Sequence, residues 1–100
     1  MDIQSKIVDA RALAGKLNDL RKAGKKIVFT NGCFDLLHVG HLRYLAAARN
    51  EGDLLVVGLN TDQSVKTIKG RQRPIIDQHQ RSEILANLQA VDYVTLFDES

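Results

Sequence analysis

The sequence has little of several things that would place a protein in a special class. It contains one cysteine, Cys33, one proline, no tryptophan, and no apolar run approaching the ~18 residues that a membrane-spanning helix needs. A single cysteine excludes an internal disulfide, and residues 1–6 lack the apolar core of a signal peptide. The formal net charge of +2 is too small to indicate nucleic acid as a partner. We therefore predict a cytoplasmic protein that binds neither membranes nor nucleic acid.

What is present is the composition of one small globular domain. The chain has 100 residues, of which 44% are hydrophobic and 26% charged. A chain of this length buries only about two-thirds of its unfolded surface, so we expect a partner subunit, a ligand or a further segment to add stability. The basic residues cluster in one short stretch that suits a phosphorylated small molecule: Lys66, Lys69, Arg71 and Arg73.

Hydrophobic periodicity predicts alternating helices and strands. We expect helices over 9–23, from Val39 or Gly40 to Asn50, from Thr61 or Asp62 through Thr67, and over 77–88, with strands at 27–30, 54–59 and 93–97. The expected inward positions of the three long helices are Ala10, Leu13, Leu17 and Leu20; Leu42, Leu45 and Ala46; and Ile84, Leu85 and Leu88.

This order of elements predicts an α/β fold, a Rossmann-like open parallel sheet with helices on both faces. Ligands of such sheets bind beyond the carboxyl ends of the strands. We therefore expect the segments 31–41, 60–73 and Asp98 onward to converge at one edge of the sheet.

The segment 31–41 holds the most informative residues. His38 and His41 are three positions apart at a predicted helix start, so they lie on one face beside the unpaired N–H groups of the helix terminus. That arrangement suits phosphate oxygens. Gly32 can adopt backbone angles barred to other residues, and Gly40 lies where a side chain could block a phosphate or a base. The pair alone is also compatible with a surface position, or with zinc if Cys33 or His79 supplied a third ligand.

Several motifs together resemble those of the cytidylyltransferase-like nucleotidyltransferases. The first is Gly32-x-Phe34-Asp35-x-x-His38-x-Gly40-His41, whose H-x-G-H core that family shares with class I aminoacyl-tRNA synthetases. Further matches resemble the branch that makes ADP-heptose, an adenylyltransferase also found as the carboxyl-terminal half of a bifunctional kinase–adenylyltransferase. They are 60–62, 69–74, Gln80-Arg81 and 90–94.

The resemblance implies that AMP passes from ATP to a sugar 1-phosphate, heptose 1-phosphate, with release of pyrophosphate, for lipopolysaccharide core or related glycan synthesis. It implies Mg²⁺ on the leaving group, no metal site built from protein ligands, and a homodimer or larger homo-oligomer. His38, His41 and Lys69 are the expected catalytic residues. The expected nucleotide-binding residues are Asn31, Gly32, Cys33, Phe34, His38, Gly40 and His41, and the expected substrate-binding residues are Asp35, Asp62, Lys69, Arg71 and Arg73.

Other interpretations of these residues and of the chain stay open. The basic loop could be merely solvated, Asp62 could cap a loop, and Arg81 and Asp92 are expected to be structural. Family members carry a second nucleotide signature after the third strand, which residues 1–100 do not include. We therefore expect a single nucleotidyltransferase domain that lacks its carboxyl-terminal segment. The alternatives are a cytidylyltransferase for glycerol 3-phosphate or a phospho-amino-alcohol, and a non-catalytic nucleotide-binding fragment.

Overall fold

A computed structural model describes residues 2–98 and shows three strands and four α-helices, with one helix between the first two strands and two between the second and third. A single 3₁₀ turn, Ile3–Lys6, precedes them. The helices are α1 (Ala10–Lys22), α2 (Val39–Arg49), α3 (Asp62–Lys69) and α4 (Gln78–Ala86), and the strands are β1 (Ile27–Gly32), β2 (Leu54–Asn60) and β3 (Tyr93–Phe97). None of the described helices has the length and apolar character required to cross a bilayer.

The strands form one parallel sheet in the order β1-β2-β3. Val57 of β2 pairs with Thr30 of β1 on one side and with Val94 of β3 on the other. The central strand β2 is buried from Leu55 to Asn60, as expected for a parallel strand covered on both faces. The predicted fold class, an open parallel α/β sheet, is confirmed.

Alternate residues of β2 face two separate apolar cores, because successive side chains of a strand point to opposite faces. Leu55, Val57 and Leu59 pack in the larger core with Leu45 of α2 and Leu85 of α4. Val56 packs on the other face against Leu13 and Leu17 of α1. Helices therefore cover both faces of the sheet.

Side chains cap the amino termini of α1, α3 and α4. Asp9 accepts a hydrogen bond from the backbone N–H of Ala12, Thr61 from that of Ser64, and Asp77 from that of Gln80. Gly24, which ends α1, has a φ of 86° that a residue with a side chain rarely adopts.

Four predicted inward positions are wrong. Leu42 and Ile84 are 42% and 40% exposed, and Ala10 and Ala46 are exposed as well. Leu45 and Leu85 are buried as predicted, because α2 and α4 each present a narrow stripe to the sheet and the residues beside it face outward.

The first strand also differs from its prediction. It extends two residues beyond its predicted end at Thr30, through Asn31 and Gly32. Phe29 is 52% exposed, so β1 is not a fully buried strand. Phe29 lies on the α1 face at the side of the sheet away from β3, where its ring contacts the guanidinium of Arg21.

Candidate functional site

A cavity of about 890 Å³ lies at the carboxyl end of β1. It is formed by the loop between β1 and α2, the first turns of α2, and the segment that follows α3. Its lining residues are Asn31, Gly32, Cys33, Phe34, Asp35, Leu36, His38, His41, Tyr44, Lys69 and Arg73. The structure therefore brings together most of the predicted site, although Gly40, Asp62 and Arg71 are not among the residues that line the cavity.

The two histidines begin α2 and hydrogen-bond to its backbone. His38 is the N-cap residue, and its Nδ1 accepts a hydrogen bond from the N–H of Gly40 at 3.0 Å. The Nδ1 of His41 accepts one from the N–H of His38 at 3.2 Å. The two rings lie together, with centroids 4.0 Å apart. The imidazoles thus satisfy N–H groups that the sequence analysis expected to be available to a ligand.

These hydrogen bonds assign the tautomer of each neutral ring. A nitrogen that accepts from an N–H group carries no proton, so the proton of a neutral His38 or His41 is on Nε2. Each ring therefore has an Nε2–H group that can donate to a ligand in the cavity. Two such donors on adjacent rings suit an oxyanion better than a metal ion, which would need unprotonated ring nitrogens.

Burial also favours a neutral imidazole at His41. Burial lowers the pKa of His41 below its ordinary value of 6.5, and charge on the neighbouring His38 lowers it further. The ring of Phe34 also packs against that of His41, with the centroids 5.6 Å apart and the planes at 65°. His41 is therefore held as a neutral donor at physiological pH.

The two glycines of the segment make room for side chains of the site itself. A Cβ on Gly40 would lie 2.7 Å from Cε1 of His38, so a substituent there would displace the imidazole. A Cβ on Gly32 would lie 2.7 Å from the ring of Phe34. The expected special backbone angle is not at Gly32. Phe34 has it instead, with a φ of 44°.

Asp35 does not contact either histidine. Its carboxylate accepts hydrogen bonds at 2.9 Å from the N–H groups of Ile75 and Ile76, and at 3.0 Å from Nη1 of Arg73. Burial alone would raise the pKa of Asp35, but the hydrogen bonds from Ile76, Ile75 and Arg73 outweigh it, so the pKa lies below 3.8. The carboxylate thus accepts its hydrogen bonds from the segment that follows α3.

Arg81 joins the three segments that surround the carboxyl ends of β1 and β2. The residue is 1% exposed. Its Nη1 donates to the carbonyls of Cys33 and Asn60 at 2.7 and 2.8 Å, and its Nε donates to the carbonyl of Ile76 at 2.8 Å. Its Nη2 contacts the carboxylate of Asp62 at 2.7 Å. Asp62 therefore pairs with Arg81 away from the cavity, which favours the structural interpretation of this carboxylate.

Only part of the predicted basic cluster reaches the cavity. Lys69, the last residue of α3, and Arg73 line it, whereas Arg71 is exposed outside it. Asp98, which follows β3, does not line the cavity, but it meets the segment 60–73 at the expected edge of the sheet, where it accepts a hydrogen bond from the hydroxyl of Thr61. Glu99 and Ser100, which were expected at the same edge, lie outside the described residues. Among residues 2–98, the residues that line the cavity come from two of the three expected segments.

Two lining residues were missed by the sequence analysis. Tyr44 follows His41 by three positions on α2, and its hydroxyl hydrogen-bonds to that of Thr30 on β1. That spacing on a helix was a usable signal. Leu36 lines the cavity from the loop after β1, where no periodic pattern indicates direction.

Within residues 2–98, no three His, Cys, Asp or Glu side chains come together in a way that could hold a metal ion. Cys33 instead directs its thiol toward Oδ1 of Asn60, at 3.7 Å.

Comparison with known proteins assigns the family. A sequence profile described as cytidylyltransferase-like matches residues 29–100, which include both cavity-forming segments. The chain belongs to the cytidylyltransferase-like family. Membership confirms the resemblance found in the motifs and identifies the fold as that of a nucleotidyltransferase.

Individual relatives agree with the branch that the motifs indicated. The chain is 57% identical over 98 residues to the bifunctional protein HldE of Citrifermentans bemidjiense, covering 98% of this chain and 20% of the relative. It is 61% identical over 87 residues to that of Aliarcobacter butzleri, covering 87% and 18%. The chain thus spans about a fifth of the curated relatives it matches.

A solved structure is similar as well. The lipopolysaccharide core biosynthesis protein of Thermoplasma volcanium superimposes with a TM-score of 0.70 at 34% identity, over 76% of this chain and 61% of that one.

Proposed function

We propose that the protein is an adenylyltransferase that transfers AMP from ATP to heptose 1-phosphate. An oxygen of the sugar phosphate attacks the α-phosphorus of ATP, the bond to the bridging oxygen of pyrophosphate breaks, and ADP-heptose and pyrophosphate form. The names of the relatives, HldE and a lipopolysaccharide core biosynthesis protein, support this substrate and a role in lipopolysaccharide core or related glycan synthesis.

The observation that carries the proposal is the set of donors around one cavity. His38 and His41 each offer an Nε2–H group, and Lys69 and Arg73 line the same space. The attacking phosphate is already an anion, so the reaction needs no strong general base. It needs neutralisation of charge and alignment of the reactants, which donors positioned around one cavity supply.

Each group has a distinct part in this proposal. The histidines donate to the triphosphate and to the negative charge that grows on its oxygens. Asn31, Gly32, Cys33 and Phe34 border the phosphates and the ribose at the end of β1. Lys69 and Arg73 hold the phosphate groups, and Arg73 can make a bidentate contact.

Within residues 2–98, the cavity gives Mg²⁺ few protein ligands. Among the described residues, Asp35 is the one carboxylate that lines the cavity, and its oxygens accept from Ile75, Ile76 and Arg73. Magnesium would therefore enter on the phosphates of ATP, with water as its remaining ligands. We further propose a cytoplasmic homodimer, in keeping with a cytoplasmic ATP supply and a small core.

The experiment pairs ATP or CTP with heptose 1-phosphate or glycerol 3-phosphate and measures pyrophosphate release by the protein. We expect release with ATP and heptose 1-phosphate. Release with CTP alone would instead identify a cytidylyltransferase, the activity after which the family is described. A protein that binds ATP without releasing pyrophosphate from any pair would be a binding module.

The third histidine provides a matched control for the donors. His41→Ala should lower turnover by about 10²–10³-fold, the cost of losing one oxyanion donor. His79→Ala removes an exposed imidazole from α4, outside the cavity, and should leave turnover unchanged. Equal turnover of the two variants would exclude the proposed part of His41.

A further inference from the structure

Asp35 was expected to contact a substrate, but its surroundings indicate another task. Its side chain is 10% exposed, and three groups donate to its carboxylate: Nη1 of Arg73 and the N–H groups of Ile75 and Ile76. All three donors lie about 40 positions further along the chain, in the segment 70–76 that closes one side of the cavity. The carboxylate thus joins the loop after β1 to the segment after α3.

The geometry at Arg73 gives this contact a consequence for binding. The guanidinium has five N–H donors, and one of its nitrogens, Nη1, pairs with Asp35 at 3.0 Å. The side chain of Arg73 is 42% exposed and lines the cavity. A long side chain of this kind has many accessible rotamers and loses entropy when a ligand orders it. Pairing with the carboxylate of Asp35 restricts these rotamers before a ligand binds.

We propose that Asp35 is a positioning residue: it holds Arg73 and the backbone of Ile75 and Ile76 so that the guanidinium faces the phosphate groups in the cavity. This inference rests on the proposed function for the identity of the phosphate ligand. It does not rest on turnover, because it can be tested with inorganic pyrophosphate, which the cavity would hold as a product.

Electrostatics alone predicts the opposite effect of removing the charge. Asp35→Asn deletes a negative charge beside an anion site, so simple Coulomb repulsion predicts tighter binding of pyrophosphate. A substrate-hydroxyl contact predicts no weakening either, since pyrophosphate has no sugar hydroxyl. Positioning predicts weaker binding, because the amide cannot accept from Arg73, Ile75 and Ile76 together. The sign of the change therefore separates the explanations.

The experiment measures pyrophosphate dissociation constants by calorimetry for the unsubstituted protein, Asp35→Asn, Arg73→Ala and the double variant. We expect each single variant to bind about tenfold more weakly, the scale of one charge-assisted contact. The double variant should be no more than about twofold weaker than Arg73→Ala, because Asp35 acts through Arg73. Tighter binding by Asp35→Asn, additive losses, or no pyrophosphate binding by the unsubstituted protein would each overturn the proposal.

A second measurement reports on the segment without any ligand. Trypsin should cut the native protein faster after Lys69 and Arg71 in Asp35→Asn, because the segment is released. Asp53→Asn is the control, since this exposed carboxylate accepts from the N–H of Lys26 near the start of β1, at the opposite edge of the sheet. Its cleavage and pyrophosphate affinity should match those of the unsubstituted protein. Unchanged cleavage of Asp35→Asn would overturn the proposal, whereas an inactive but pyrophosphate-binding protein would contradict only the proposed reaction.

Discussion

Removing the buried guanidinium of Arg81 should lower the free energy of unfolding more than removing the arginine of any other ion pair described in residues 2–98. Its side chain is fully buried, whereas the other two arginine–carboxylate pairs have arginine side chains that are 35% and 42% exposed. Replacing Arg81 with methionine keeps an unbranched side chain but removes four hydrogen bonds. The carbonyls of Cys33, Asn60 and Ile76 then lose a partner, and Asp62 loses its counter-charge.

Breaking a buried pair by removing one partner costs about 3–5 kcal/mol. We expect Arg81→Met to fall near the lower end, about 3 kcal/mol, because the side chain of Asp62 is 35% exposed and can be hydrated. A domain has about 5–15 kcal/mol of stability in total, so this loss is large. With a urea m-value of about 1–2 kcal/mol/M, the unfolding midpoint should fall by roughly 1.5–3 M.

Urea unfolding followed by circular dichroism measures this change. The matched control is Arg49→Met, which removes a half-exposed partner of Asp92 and should cost no more than about 1 kcal/mol. If Arg81→Met lowered the free energy of unfolding by less than Arg49→Met does, the hydrogen bonds of Arg81 would not be what holds the three segments together.

Two further substitutions test the histidine pair. Gly40→Ala should push the imidazole of His38 aside and reduce turnover about tenfold or more. Gly15→Ala is the control, because its Cβ would lie in open space, and it should leave turnover unchanged. Equal turnover of the two variants would show that the Cβ at position 40 does not displace His38. His41→Gln should flatten the acid dependence of stability. Burial lowers the pKa of His41 in the folded protein. The contribution of His41 to the free energy of unfolding is therefore complete above about pH 6.5 and declines as the pH falls toward the folded-state pKa. Urea midpoints at pH 7.5 and 5.5 that shift equally with and without His41 would refute this.

Much of the fold could be predicted because its signals are local. Caps at Asp9, Thr61 and Asp77 and the stop at Gly24 lie within a few residues of the helix ends they determine. The strand predicted at 54–59 shows in the sequence as a continuous apolar run, and the observed β2 extends one residue beyond it. Leu42 and Ile84 were misplaced because a helical stripe read from sequence is wider than the surface that the sheet actually covers.

Some residues of the candidate site could also be predicted from local spacing, whereas others depend on contacts between distant segments. The pair His38 and His41 is visible in the sequence, since three-residue spacing at a helix start determines which face they share. The partners of Asp35 could not be predicted, because they are separated from it by 38 to 41 positions and their contact depends on how two loops meet. Arg71 and Arg73 look equivalent in the sequence, but only Arg73 turns into the cavity.

By itself, the sequence determined the order of elements, the parallel sheet and the two imidazoles at the start of α2, because periodicity, capping and short spacings act within one or two turns of chain. Only the tertiary structure decided what the charged side chains do. In the folded chain, Asp62 pairs with Arg81, and Asp35 accepts hydrogen bonds from the segment 73–76. Lys69 and Arg73 line the same cavity as the histidines. The physical reason is that a charged side chain that becomes buried must pair with another polar group, and these partners come from segments that meet only in the folded chain.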